Sequence, residues 1–406
     1  MKRHLFTLLI LMAAMLGTVR AQQAGTIISV TPLFDYSVSQ TQAAINNMIP
    51  INLPTWVVNL LTDIDYGTKG YKVIYYTKDF DGNLTLASGA MIIPQGYSCN
   101  HDMMVYCHGT VFDPDEVPSR MSGAGGGVEF IFGLLYAGNG YVTVMPDYLG
   151  LGDGPDLHLY VDEKTEASAT VYLMKAVDSY TGQNGIGLTG DVMISGYSQG
   201  GHAGMSTFRY LEEVGLPGFD VATAGLGSGP YDLATKQYQF IVGNPNYPTR
   251  EYILYTVASC QEAYGNLYNS PSDILVAPYD QLYTTHILGQ TGQTDWVPTP
   301  WPQMFVPSVY QNYTTNPNNP LRQCLQQSNV YDWDNRSETE MYYCTGDEQV
   351  AYQNSTKAEA AMEDNLPWWL FWMIPFINST YVGSFDHFDC VIPYGILSKW
   401  HFDRIP

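Results

Sequence analysis

The stretch Val192-Met193-Ile194-Ser195-Gly196-Tyr197-Ser198-Gln199-Gly200-Gly201-His202-Ala203 decides how the rest of the chain is read. A short apolar strand pattern, Val192 to Ser195, runs into a turn of the form G-x-S-x-G, and an amphipathic stretch from Ala203 to Val214 follows as a helix. So tight a turn leaves no room for side chains on its flanks, hence Gly196 and Gly200, and it holds Ser198 in a strained conformation with its hydroxyl clear of the sheet. The strand before and the helix after set this apart from an ordinary glycine-rich turn.

Outward from that turn, Met103–Cys107, Tyr141–Met145, Val221–Leu226 and Met341–Cys344 repeat the short apolar pattern, separated by Gly-rich turns and amphipathic stretches. Such alternation predicts crossover helices and a mostly parallel sheet, an α/β architecture. Nearer the N-terminus, Tyr71–Thr77 and Leu84–Ile93 flank Asp79-Phe80-Asp81-Gly82-Asn83, whose Asp-Gly pair predicts an antiparallel hairpin. Leu226 and Met341 stand 115 residues apart, where a helical crossover needs roughly a few tens. The Tyr-, Pro-, Asn- and Gln-rich segment 235–334, with helix-like pieces at Glu251–Tyr264 and Ser272–Leu288, therefore reads as an inserted, largely helical cap or lid. It divides the core into 22–234 and 335–406.

At the start, Lys2-Arg3-His4 precede an apolar run from Leu5 to Leu16 and the small-residue pattern Val19-Arg20-Ala21, which reads as a signal peptide over residues 1–21. The run is too short for a membrane-spanning helix, which needs about 20 residues. Cleavage removes Lys2, Arg3 and Arg20 and no acid, taking the net charge from −22 to −25. So acidic a chain repels phosphate backbones, which excludes nucleic acid as a partner class. Export to the periplasm or medium permits disulfides, but six cysteines are too sparse for the fold to depend on them. Cys99 and Cys107 flank an extended strand and are too far apart to pair; Cys260 with Cys324 and Cys344 with Cys390 are the pairings to test.

A serine hydroxyl is a weak nucleophile until a base takes its proton, and on a strand–turn–helix serine the partners follow in the order acid, then histidine. Four histidines lie beyond Ser198. His202 sits in the helix behind the turn, His286 in the insertion and His401 five residues from the C-terminus. His387, in the loop Gly383-Ser384-Phe385-Asp386-His387-Phe388-Asp389-Cys390 before a terminal helix, is the expected base. Asp347, in the Gly turn after Met341–Cys344, is the expected acid, with Glu348, Asp232 and Asp386 as rivals. An oxyanion needs backbone donors, expected from Gln199 and from the loop Tyr106-Cys107-His108-Gly109-Thr110, with Thr110 presenting its N–H. His108, Gly109 and Tyr197 are the neighbouring candidates for substrate contact.

At these residues the chain resembles the secretory lipase and esterase branch of the α/β-hydrolases, which includes the fungal lipase A type. The likeness rests on the elbow with its His-Gly loop, on Gly346-Asp347-Glu348-Gln349-Val350, and on the late His387 with Cys390. Pro146-Asp147-Tyr148-Leu149-Gly150, Thr165-Glu166-Ala167-Ser168-Ala169 and Asn318-Asn319-Pro320-Leu321-Arg322 support it, and together the matches cover about residues 70–400. The resemblance implies an α/β-hydrolase fold, a triad of Ser198, Asp347 and His387, a helical cap shaping an acyl site, and ester hydrolysis without a cofactor. Ala351, where a proline is usual, and Phe388-Asp389, where small residues are usual, depart from the pattern.

Leu366-Pro367-Trp368-Trp369-Leu370-Phe371-Trp372-Met373-Ile374-Pro375-Phe376 is apolar on every side. Exposed beside the serine, Trp368, Trp369 and Trp372 would take up acyl chains or give weak contact with a lipid interface; buried, they fill a core. No His/Cys set has zinc spacing, Gly123-Ala124-Gly125-Gly126-Gly127 completes no dinucleotide fingerprint, and no obligate protein partner is indicated, so neither metal nor cofactor is expected. The expected activity is hydrolysis of a small-molecule or lipid ester. A serine exopeptidase or a deacetylase of acetylated carbohydrate on the same scaffold are the alternatives.

Overall fold

A computed structural model of the chain describes residues 22–49, 53–96, 100–121, 127–366 and 377–405. The leader expected at 1–21, Cys99 and the tryptophans Trp368, Trp369 and Trp372 fall outside these ranges.

Nine strands form a single sheet: β1 (Ile27–Tyr36), β2 (Gly67–Lys78), β3 (Leu84–Gln95), β4 (His101–Cys107), β5 (Val142–Pro146), β6 (Leu188–Tyr197), β7 (Asp220–Gly227), β8 (Glu338–Cys344) and β9 (Ile377–Gly383). Their order is β1-β2-β3-β5-β4-β6-β7-β8-β9. β1, β2, β3 and β5 pair antiparallel, and from β5 through β4, β6, β7 and β8 to β9 every pair is parallel. The hairpin closes at Lys78 opposite Leu84, with Gly82 at φ +84° and the Asp79 carboxylate accepting the Asn83 N–H at 2.8 Å. This is the Asp-Gly chemistry read from the sequence.

Parallel neighbours demand crossovers, and helices Gly127–Gly138, Glu163–Gln183, Gln199–Glu213 and Gln353–Asn365 supply them. With helices on both faces, the central strands are buried on both sides along most of their length. In β4, Met103, Val105 and Cys107 join the core beneath helices Glu163–Gln183 and Gln199–Glu213, while Met104 and Tyr106 join the core beneath Gly127–Gly138 and Val391–Phe402. The edge strands β1 and β9 are half-exposed, and the polar run Asn378-Ser379-Thr380 hid β9 from the sequence pattern.

Between β7 and β8 lies the insertion. Its helices Glu251–Tyr264, Pro307–Thr315 and Pro320–Gln327 gather around a separate apolar cluster in which Leu254, Tyr283, Trp301 and Met304 are fully buried. The helix-like piece expected over Ser272–Leu288 is instead a turn at Pro271–Asp273, a short helix at Tyr279–Leu282 and a wide turn at Tyr283–Ile287, because Pro278 interrupts the ladder. Disulfide Cys260–Cys324 joins two helices of the insertion, and Cys344–Cys390 joins the end of β8 to the start of the terminal helix. Cys107 is free and buried.

Candidate functional site

Ser198 forms the corner between β6 and helix Gln199–Glu213 at φ +60°, ψ −122°. A non-glycine residue there carries strain of about 1–3 kcal/mol, which the surrounding packing must offset. The flanking glycines answer to packing. A Cβ on Gly196 would come within 2.2 Å of the Gly200 carbonyl oxygen, one on Gly200 within 2.0 Å of the Cys107 carbonyl oxygen, and one on Gly201 within 2.7 Å of the Gly227 carbonyl oxygen. The corner is fastened to β7 by the Ser198 N–H, which donates to the Gly227 carbonyl at 2.9 Å.

The loops after β8 and β9 bring the two expected partners to this corner. His387 Nε2 lies 2.9 Å from Ser198 Oγ, and His387 Nδ1 lies 2.8 Å from Asp347 Oδ2. A carboxylate only accepts, so Nδ1 carries the proton and Nε2 is free to accept one from the serine. Asp347 is itself oriented: its Oδ1 accepts the N–H groups of Gln349 at 2.9 Å and Val350 at 2.8 Å. The imidazole is held from below by the Tyr197 hydroxyl, which donates to the His387 carbonyl at 2.7 Å. Cys344 and Cys390 each stand three residues from the acid or the base, so their bridge ties the two loops together.

The rival residues are occupied elsewhere. Glu348 accepts the backbone N–H of His387 at 3.1 Å, Asp232 pairs with Lys357 at 2.6 Å, and Asp386 accepts the Asp389 N–H at 2.8 Å. His286 bonds Thr291, and His401 meets Thr223 at the far end of the sheet.

The oxyanion donors expected are the N–H groups of Gln199 and Thr110. Neither the Gln199 N–H, first in its helix, nor the Thr110 N–H meets an acceptor among the described residues. His108 does not face the site. Its ring nitrogens approach the Gly109 and Asp147 carbonyls at 2.7 and 3.3 Å, it stacks on Tyr148, and burial lowers its pKa to about 4. His108 and Tyr197 thus stand behind the site rather than lining it, which corrects their expected contact with substrate. Gly109 lies beside Ser198, a Cβ built on it coming 3.9 Å from the serine Cβ.

Ser198 opens into a cleft roofed by the insertion through Tyr238, Ile241, Ile253, Tyr313, Leu321 and Leu325, and among the described residues none that lines it is charged. Of the apolar 366–376 run only Leu366, at the end of helix Gln353–Asn365, is described, so the expected anchors Trp368, Trp369 and Trp372 lie outside the described residues.

A polar network behind the serine went unread in the sequence. The Gln199 side-chain amide lies 2.9 Å from both Glu166 and His158, and His202 Nδ1 meets the other oxygen of Glu166 at 2.6 Å while its Nε2 meets the Ser328 carbonyl at 2.8 Å. Burial raises the Glu166 pKa against the pull of His202; burial works to lower that of His202, and the Glu166 charge more than offsets it. His158, buried against the Leu149 carbonyl, falls to about 3. Glu166 amid Ala and Ser was the only local signal. Among the described residues no three His, Cys, Asp or Glu side chains converge as a metal site would require.

No family model and no curated protein matches the chain. Solved structures do. A Legionella pneumophila protein provisionally called a hydrolase is 23% identical, with a TM-score of 0.80 over 93% of this chain and 98% of its own. The rice cell wall degrading esterase LipA from Xanthomonas oryzae is 24% identical, with a TM-score of 0.75 over 94% and 98%. Candida antarctica lipase A in its closed state is 14% identical, with a TM-score of 0.67 over 96% and 84%. These likenesses, with the sheet order, show the α/β-hydrolase fold.

Proposed function

We propose that the chain is an exported serine carboxylester hydrolase acting on neutral esters with apolar acyl groups. One observation carries the reading: an unbroken hydrogen-bonded relay from Asp347 through His387 to a strained Ser198 hydroxyl, beside two unengaged N–H groups, at the mouth of an uncharged cleft. The neighbours named as an esterase and a lipase support it.

Ser198 Oγ attacks the ester carbonyl carbon while its proton passes to His387 Nε2. The carbonyl electron pair moves onto oxygen, which the Gln199 and Thr110 N–H groups stabilise, each donor of this kind contributing roughly 3 kcal/mol. Collapse expels the alcohol, which takes the proton from the imidazolium and leaves an acyl-serine. Water, deprotonated by Nε2, then attacks the acyl carbon and releases the acid and the serine. Asp347 fixes the tautomer and stabilises the imidazolium throughout.

The uncharged lining favours an ester over an exopeptidase substrate, whose terminal ammonium or carboxylate calls for a buried counter-charge. Phe385 and Phe388, exposed on either side of His387, give the entrance an apolar rim suited to lipid-interface contact. The leader pattern and two disulfides suit export. A chain-length series of nitrophenyl esters tests the substrate class. Rates rising with acyl length support it; a maximum at two carbons favours a deacetylase, and faster amide than ester cleavage favours the peptidase.

A further inference from the structure

Glu129 is a third carboxylate at the site, and the relay does not use it. It stands in the first turn of helix Gly127–Gly138, at the head of the apolar run Phe130-Ile131-Phe132. One oxygen, Oε1, accepts the Gly109 N–H at 3.1 Å, and Oε2 accepts the hydroxyl of Tyr106, the residue of β4 that leads into the oxyanion loop. Both oxygens accept, which is the pattern of the ionised form. A Cβ built on Gly109 would lie 2.9 Å from Oε1 and 3.9 Å from the Cβ of Ser198, so the carboxylate, the loop and the nucleophile are packed together.

No Lys or Arg pairs with Glu129 among the described residues. A buried carboxylate without a cation is costly, and burial indeed raises its pKa, opposed by Tyr106, the Gly109 N–H and the charge of His387. The other ionisable groups facing Glu129 are Tyr106, Tyr148 and Tyr197.

Resting on the acyl-transfer reading, we propose that Glu129 is a positioning residue for it: by binding the Gly109 N–H it fixes the loop that carries the Thr110 N–H toward the oxyanion. The Gly109 N–H, spent on Glu129, is excluded as an oxyanion donor.

The test compares kcat and KM for a nitrophenyl ester, with the rate of fluorophosphonate labelling of Ser198, in the full-length mature protein and its Glu129→Gln and Glu129→Ala variants. Glu129→Gln retains an oxygen for the Gly109 N–H and should stay within about twofold of the parent in kcat and labelling rate, whereas Glu129→Ala, which releases that N–H, should lose about tenfold in both with KM little changed. Parental kcat and labelling in a folded Glu129→Ala protein overturn the proposal. Should that variant not fold, Glu129→Asp withdraws the carboxylate from Gly109 while keeping its charge, so labelling slows; unchanged labelling overturns the proposal. Failure of the parent itself to label overturns the acyl-transfer reading instead, and the two failures are distinguishable.

Discussion

Two buried histidine–carboxylate pairs lie within one helix of each other, and they differ in a single partner. His202 meets Glu166 at 2.6 Å and His387 meets Asp347 at 2.8 Å, both through Nδ1. The second ring nitrogen separates them. In His202 it is closed off by the Ser328 carbonyl, whereas in His387 it faces the Ser198 hydroxyl. A carbonyl can only accept, so His202 spends both nitrogens on holding the structure. A hydroxyl can give up its proton, so His387 keeps one nitrogen for chemistry. Burial and a carboxylate partner do not make a base; the atom opposite the remaining nitrogen does.

Substitutions and a titration break that comparison, from the largest effect to the smallest. Asp347→Asn or His387→Ala should lower ester turnover by about 10⁴-fold, with melting little changed, as steady-state rates and calorimetry would read. His202→Ala should do the reverse: by leaving Glu166 buried and unpaired it costs about 3–5 kcal/mol of stability, measured by urea unfolding, while the folded fraction still reacts with a fluorophosphonate.

The silent histidines sharpen the contrast through pH. His108 and His158 are held near pKa values of about 4 and about 3 by burial, below the ordinary value of 6.5. Because their folded values are depressed, the unfolded chain takes up protons first as pH falls. Stability is therefore full above pH 6.5 and is lost between there and about 4, by of the order of 3 kcal/mol for each histidine. A melting temperature flat from pH 7 to 4 would contradict their neutral burial.

Replacing Cys344 and Cys390 together by serine should cost about 2–4 kcal/mol and lower turnover, because the bridge spans the loops of the acid and the base. The matching change at Cys260 and Cys324 should cost a similar stability and spare the Ser198 labelling rate. Thr110→Ala should matter least. It loses only the hydroxyl contact with Tyr160, 3.1 Å away, worth about 1 kcal/mol, and leaves the N–H donor in place, so turnover should stay within about threefold.

Much of the site was legible because its parts sit on local punctuation. The elbow lies between an apolar strand and a helix, and the acid and base follow strand ends in glycine-bearing turns. The parallel strands were equally plain, since burial on both faces made them uninterrupted apolar runs. β9 was not, because a half-exposed edge strand such as Asn378-Ser379-Thr380-Tyr381 reads as loop. Glu129, Glu166 and His158 escaped for a different reason. Each is polar inside or beside an apolar stretch and acquires its meaning from a partner 20 to 41 residues away, a pairing no local period encodes. His108 misled in the opposite direction: its strand-end position suggested substrate, but its ring is buried against the Gly109 carbonyl and stacked on Tyr148.

The most direct measurement is the hydrolysis rate of Ser198→Ala beside its melting temperature. Removal of the one oxygen within 2.9 Å of His387 Nε2 should reduce turnover by about 10³-fold or more with the melting temperature at or above that of the parent. Hydrolysis at the parental rate by the folded variant would contradict the account.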